Sequence, residues 1–135
     1  MAIEQSMTTQ AKQTALTYLT TGVIKMALYT AEANLGPSTL VYTTSNEVVG
    51  TGYTAGGKTL TGVMVTISGT TAYVDFDDVE WDPASFTARA ALIYNSSIGD
   101  TALAVLDFGS DKIAVNTFRV QMPANTATSA LIRLI

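Results

Sequence analysis

A mainly β fold, an antiparallel sandwich or barrel of jelly-roll-like type with an N-terminal helix or arm, is the fold class that the sequence predicts. Three observations lead there. From residue 23 onward apolar side chains recur with a period of two, the spacing of a strand with one face turned inward. Seven such segments follow at short spacing, with Gly, Pro, Asn and Ser between them. The strand-helix-strand rhythm of a parallel nucleotide-binding sheet is absent.

Before residue 23 the period is different. Ile3, Met7, Ala11, Ala15 and Leu19 recur every four residues with Tyr18 beside the last, which predicts a helix over residues 3–19 with one apolar stripe. Threonine and glutamine are indifferent helix formers, so an arm that orders only against a partner is the alternative. Gly22 breaks the pattern, dividing the chain into residues 1–22, a helix or arm, and residues 23–135, a single β-sandwich domain. Ile24, Met26 and Leu28 alternate with Lys25, Ala27 and Tyr29 as a half-buried strand. Residues 31–50 contain Gly36-Pro37-Ser38 and read as a long connection with a short helical turn near 45–48. Strands over 58–67 and 71–76 are joined by the hairpin signal Ser68-Gly69-Thr70. The clearest strand is 86–94, with Phe86, Ala88, Ala90, Leu92 and Tyr94 on one face. Strands over 102–108 and 116–122, linked by Gly109-Ser110-Asp111-Lys112, and a last one over 129–135 complete the set.

Composition narrows the chemistry. The 135 residues include no histidine and no cysteine, which removes imidazole bases, thiol nucleophiles, disulfides and almost every transition-metal site. Only 13% of residues are charged, against about 25% in an average domain, so the surface is neutral and hydroxyl-rich. With a net charge of −4 and no Lys/Arg cluster, no nucleic-acid partner is expected. The polar first ten residues do not read as a secretory signal, and the short apolar runs fall well below the roughly 20 residues needed to span a bilayer. No membrane partner is expected, and synthesis is expected in the cytoplasm. Weak charge gives an isolated monomer little colloidal protection, which favours an oligomer or a larger assembly.

Gly52-Tyr53-Thr54-Ala55-Gly56-Gly57-Lys58-Thr59 matches the phosphate-cradling pattern G-x-x-x-x-G-K-[ST]. That pattern works when a strand feeds the loop into a helix N-terminus, whose free N–H groups and dipole bind phosphate. Here Leu60-Thr61-Gly62-Val63-Met64-Val65-Thr66-Ile67 follows, β-branched and broken by glycine, so a hairpin loop is the reading. Asp107-Phe108-Gly109 matches the magnesium-binding triplet of protein kinases, whose catalytic loop needs a histidine; it is read as a strand ending in a glycine turn.

Asp75, Asp77, Asp78, Glu80 and Asp82 place five carboxylates within eight residues. Such a run can offer oxygens to calcium, and Asp75, Asp77, Asp78 and Glu80 are the calcium candidates, although the spacing is not that of an EF-hand. The alternative is a solvated bend, because the inward face changes parity between residues 76 and 79. Tyr29, Tyr42, Tyr53, Tyr73, Tyr94 and Trp81 can be read as a sugar-binding platform, or as core and interface anchors of alternating strands.

Five blocks resemble a known family. They are Ile24-Lys25-Met26-Ala27-Leu28-Tyr29-Thr30, the stretch from Glu47 to Leu60, the stretch from Thr71 to Trp81, the stretch from Phe86 to Asn95, and Ala104-Val105-Leu106-Asp107-Phe108-Gly109-Ser110-Asp111. In order and phrasing they are similar to a family of small tailed-bacteriophage and prophage virion structural proteins, over residues 23–134. The family carries no catalytic motif to transfer. Together with size and fold class, the resemblance implies a non-enzymatic capsid decoration or cement protein, without cofactor, localised to the virion. Its expected partners are the major capsid protein and itself, as a dimer or trimer. Ile3 and Met7 of the arm, Gly52, Tyr53, Gly56 and Gly57 of the loop, and Trp81 are the expected partner contacts. A tail or tail-fibre component and a carbohydrate-binding adhesion module are the alternatives.

Overall fold

The computed structural model describes residues 2–135; Met1, at the start of the expected helix or arm, lies outside the described residues. The fold is mainly β, 41% strand against 8% helix, as the period-two pattern predicts. Helix α1 (Thr9–Leu19) precedes the strands β1 (Ile24–Tyr29), β2 (Lys58–Thr59), β3 (Met64–Ser68), β4 (Thr71–Asp75), β5 (Val79–Trp81), β6 (Phe86–Asn95), β7 (Thr101–Ala114), β8 (Phe118–Val120) and β9 (Ile132–Leu134). Every pairing of these strands is antiparallel. They form three sheets with strand orders β2-β1-β6-β7, β3-β4-β9 and β5-β8, and no barrel closes.

One core joins the sheets. Ile24, Met26 and Leu28 of β1 and Ala91 and Ile93 of β6 share it with Val74 of β4, Trp81 of β5, Phe118 of β8 and Leu16 of α1. β1 is buried on both faces, not half-buried as its alternation predicts: Ala27 and Tyr29 are fully enclosed. They belong to a second cluster with Leu92 and Tyr94, covered by Ala33, Leu35 and Tyr42 of the long connection. That connection holds a turn at Ser45 and Asn46 where a helical turn was expected, with Asn46 at φ 61.

The helix is shorter than its pattern. Residues 2–8 precede it without helical structure; the Thr8 hydroxyl caps it by accepting from the Ala11 N–H at 3.2 Å. Its buried residues are Lys12 and Leu16, whereas Ala11 is exposed and Tyr18 is 64% exposed. The expected stripe is therefore rotated, because Ile3 and Met7, which set its phase, lie outside the helix. Lys12 Nζ donates to the Thr70 carbonyl at 2.7 Å, fixing the helix on the β3-β4 hairpin. At the other end the buried Asn95 amide donates to the carbonyls of Leu19 and Thr21, at 2.8 and 2.9 Å.

One expected strand is divided, and the chain after β4 takes a course the pattern did not give. The segment 58–67 is two strands: after Leu60 donates to the Ile24 carbonyl, the chain leaves the large sheet, Gly62 turns at φ 66 against the Asp77 carboxylate, and β3 begins in another sheet. The hairpin after it forms as its signal predicts, Ser68 pairing with Thr71 around Gly69 at φ 61. The run after β4 breaks between residues 76 and 79 and moves to the β5-β8 sheet, which reverses the inward parity.

The largest departure concerns β6 and β7. Residues 109–112 do not link two strands, and Asp107-Phe108-Gly109 does not end one; β7 continues to Ala114. Ala90 pairs with Asp107 and Ala88 with Lys112, so residues 108–111 bulge opposite Arg89 alone. Asp107 Oδ1 stabilises the bulge by accepting from the Gly109 N–H at 2.8 Å and from Arg89 Nε at 3.2 Å, with Gly109 at φ 83. These two donors, the Gly109 N–H first, hold the Asp107 carboxyl below the usual range. The bulge also reverses the facing of β6: Phe86 and Ala88 enter the main core, but beyond Arg89 it is Ala91 and Ile93 that do so, while Leu92 and Tyr94 point to the second cluster. The expected single face from Phe86 to Tyr94 does not exist.

Leu16→Ala is expected to cost about 2–5 kcal/mol, as for other buried leucines, whereas Ile3→Ala is expected to stay within about 0.5 kcal/mol. Urea-unfolding midpoints of the two variants check the rotated helix face.

Candidate functional site

The glycine loop and the acidic run are where the sequence concentrates its candidates, and the glycine loop lies beside one buried acid, Glu47. Glu47 follows the Ser45-Asn46 turn, forms an isolated bridge with Tyr29 and is 8% exposed. The next residue, Val48, donates its N–H to the Leu28 carbonyl, which fixes the acid beside β1. One oxygen of Glu47 accepts from the Tyr42 hydroxyl at 2.6 Å. The other accepts from the Tyr53 hydroxyl and from the Gly56 N–H, the latter at 2.8 Å. Tyr53 Oη in turn accepts from the Leu28 N–H at 3.0 Å, tying the loop to the central strand. Tyr94 donates to the Gly56 carbonyl at 2.6 Å, and its ring stacks on Tyr42 with centroids 4.7 Å apart.

This arrangement answers the phosphate-cradle pattern. Such a loop needs free N–H groups converging on an anion, but the Gly56 N–H already donates to the chain's own carboxylate. Lys58 Nζ donates to the Glu80 carbonyl and lies 5.8 Å from the Trp81 ring centroid. No helix follows Thr59, which ends the two-residue strand β2; the chain crosses instead to β3. The glycines do permit close approach, but toward the chain itself. A Cβ on Gly57 would stand 1.7 Å from the Met26 carbonyl oxygen, and one on Gly52 would stand 1.9 Å from that of Pro83.

The expected partner contacts separate accordingly. Gly52, Gly56, Gly57 and Tyr53 are engaged within the fold by the contacts just described. Trp81 is 1% exposed, packed against Tyr53 and Phe118, and cannot reach a partner. Ile3 and Met7 remain open, 95% and 50% exposed. The supposed aromatic platform is also turned inward: Tyr29, Tyr73 and Tyr94 are buried, and Tyr42 and Tyr53 belong to the Glu47 network.

The acidic run does not converge. Asp77 accepts from the Thr61 hydroxyl at 3.1 Å, and Asp78 accepts from the Met122 N–H at 2.7 Å and from Arg119 at 2.9 Å. The Met122 N–H first, then Arg119, hold the Asp78 carboxyl below the usual range. Glu80 points outward on β5, opposite Arg119 of β8. Among the described residues no three acids gather into a group able to hold a metal ion, so Asp75, Asp77, Asp78 and Glu80 do not form a calcium cage.

Glu47, and the part that Tyr42 plays beside it, were not marked by the sequence, which offered Tyr42 only as a platform or anchor aromatic. Their signal was there: an acid beside two valines, with tyrosines five residues before and six after. The network also shifts the phenols. Burial pushes Tyr29 and Tyr94 up to about 12, and burial with the hydrogen bond to Glu47 raises Tyr42 and Tyr53 further.

Two outcomes are expected. Glu47→Leu leaves two hydroxyls and one N–H without an acceptor, at about 1–3 kcal/mol each, and should lower the denaturation midpoint more than any single tyrosine-to-phenylalanine change in the network. The raised phenols give stability that is complete below the unfolded value of about 10 and lost as pH rises through about 12. Alkaline titration followed by tyrosinate absorbance should accordingly show these rings ionising together with unfolding. In comparisons with known proteins, no family model, no curated protein and no solved structure matches the chain.

Proposed function

We propose that the chain is a non-enzymatic virion structural protein of a tailed bacteriophage or prophage, a capsid decoration or cement protein that binds and stabilises the major capsid shell. The observation that carries this reading is how the polar and apolar groups are spent. Among the described residues no buried side-chain polar atom lacks a hydrogen-bond partner, so the tyrosines, Glu47 and the glycine loop serve the fold. Twelve large apolar side chains are nevertheless exposed among those residues, including Ile3 and Val49 at 95% and Leu40 at 79%. A surface with few charges and exposed apolar side chains suits a protein that functions by contact. The five sequence blocks that resemble virion structural proteins direct that contact to a phage particle, and the β-rich fold agrees with the size and class of decoration proteins.

Cement proteins occupy many equivalent points on a symmetric lattice, so modest single contacts add up. Apolar anchors and shape meet that need, and reactive side chains are not required. Cryo-electron microscopy of the intact virion tests the reading. Density for a 14.2 kDa β-domain at symmetry axes or local two- and three-fold positions of the shell would support it. Density confined to the tail would replace it with the tail reading.

Val49→Asp is expected to leave the fold intact, because Val49 is exposed, and to weaken shell binding about 10- to 100-fold per site. Occupancy on particles reconstituted with the variant measures the loss.

A further inference from the structure

The outer face of the four-stranded sheet is covered at one end and open at the other. At the covered end Tyr29, Leu92 and Tyr94 lie beneath Ala33, Leu35 and Tyr42 of the long connection. The cover stops at Ala31 and Glu32, which are exposed and line a groove of about 310 Å3 with Thr30, Thr87 and Asp111. On the far side of that groove the outer face is exposed.

Strand register determines which side chains stand there. Phe86 and Ala88 enter the core, so Ser85 and Thr87, which alternate with them, face outward, and both are exposed. Thr87 pairs with Ile113 and Phe86 with Ala114. The Ala84 N–H continues that register by donating to the Asn116 carbonyl at 2.7 Å, which sets Val115 beside Ser85. On its other side Ser85 donates its N–H to the Thr51 carbonyl at 3.0 Å. Gly50 packs against Phe86, where a Cβ on the glycine would stand 2.7 Å from that of Phe86, so Val49 borders the same strip. Val49, Ile113 and Val115 are 95%, 75% and 74% exposed, and the residues between them, Thr51, Ser85 and Thr87, carry only hydroxyls.

Charge and area say what kind of surface this strip fits. Glu32 and Asp111, at the groove beside it, have no ion pair among the described residues. The nearest cations are engaged elsewhere: Arg89 bonds Asp107, and Lys112 lines another groove with Phe118 and Arg119. A second copy that met the strip with its own would therefore bring four carboxylates and no free cation to one contact, which like-charge repulsion opposes. The three apolar side chains offer roughly 200–300 Å2, against about 800 Å2 per partner in a stable pair. That is too little to hold a free dimer. It is enough for one of many equivalent contacts on a lattice.

We propose that this strip, centred on Val49, Ile113 and Val115, is the face that binds the capsid shell, and that it docks on a shell surface with an apolar centre bordered by lysine or arginine. Glu32 and Asp111 pair with that basic border, and the hydroxyls of Thr51, Ser85 and Thr87 stay hydrogen-bonded across the contact. The inference rests on the proposed function for the identity of the partner.

The experiment measures occupancy on shells purified without this protein, as a function of the protein added. In the variant Val49→Thr/Ile113→Thr/Val115→Thr the side chains stay β-branched, so the fold is kept, which an unchanged urea midpoint verifies. This variant is expected to need about 10- to 100-fold more protein for the same occupancy. Leu40→Asp, at the other end of β7 beside Ala102, is expected to bind like the wild type. Glu32→Gln/Asp111→Asn is expected to bind about 10-fold more weakly at low salt and to lose salt dependence. The proposal is overturned if the threonine variant binds like the wild type, if Leu40→Asp binds as poorly as that variant, or if the charge variant keeps wild-type affinity and salt dependence. It is also overturned if sedimentation shows the purified wild type self-associating and the threonine variant not, because a second copy then occupies the strip. A wild type that does not bind shells at all defeats the proposed function and this inference with it, whereas a wild type and a threonine variant that bind equally defeat this inference alone.

Discussion

Placing the Glu47 carboxylate inside the fold with no cation beside it is the constraint on which the loops around the central strand depend. Among the described residues the acid has no ion pair, and burying such a group costs several kcal/mol unless it is hydrogen-bonded. Tyr42, Tyr53 and the Gly56 N–H provide the bonds, each worth about 1.5–3 kcal/mol when one partner is charged. They come from two different loops, so satisfying one acid fixes both. Tyr42 brings the long connection over the outer face of β1, and Tyr53 with Gly56 brings the glycine loop beside it. Gly57 then has to lie against the Met26 carbonyl, where no Cβ fits. The glycine-lysine pattern that resembles a nucleotide loop follows from this packing.

A second constraint acts along β6. The bulge opposite Arg89 lets one strand serve two cores, feeding Phe86 and Ala88 into the sandwich and Leu92 and Tyr94 into the cover of the outer face. Without it the strand would turn one of those sets to the wrong side, since a one-residue shift reverses every side chain. Asp107 makes the bulge affordable by satisfying Gly109 and Arg89 together. An Asp-Phe-Gly triplet that reads as catalytic in another context is here a backbone cap.

Period and turn residues made the fold class legible, and for a physical reason. Alternation at Ile24, Met26 and Leu28, glycine at the β3-β4 turn and the change of parity between Phe76 and Val79 are local consequences of local geometry, and each appears in the structure. What failed depended on partners distant in sequence. Ala27 and Tyr29 read as outward-facing because their cover arrives from residues 33–42. The β6 face was misassigned because the bulge is stabilised by Asp107, eighteen residues beyond Arg89. The helix stripe took its phase from Ile3 and Met7, which periodicity could not exclude from the helix. Trp81 looked available because composition does not say which side of a surface a residue occupies. Glu47 escaped for the same reason: its role exists only once two loops meet.

The surface that remains explains why association matters for the proposed role. A single exposed side chain such as Val49 or Leu40, fully buried in a contact, contributes about 1.5–3 kcal/mol, which does not hold a monomer on a lattice against the cost of association. Two or three linked copies present the same anchors together, and the second contact then forms at a high effective concentration.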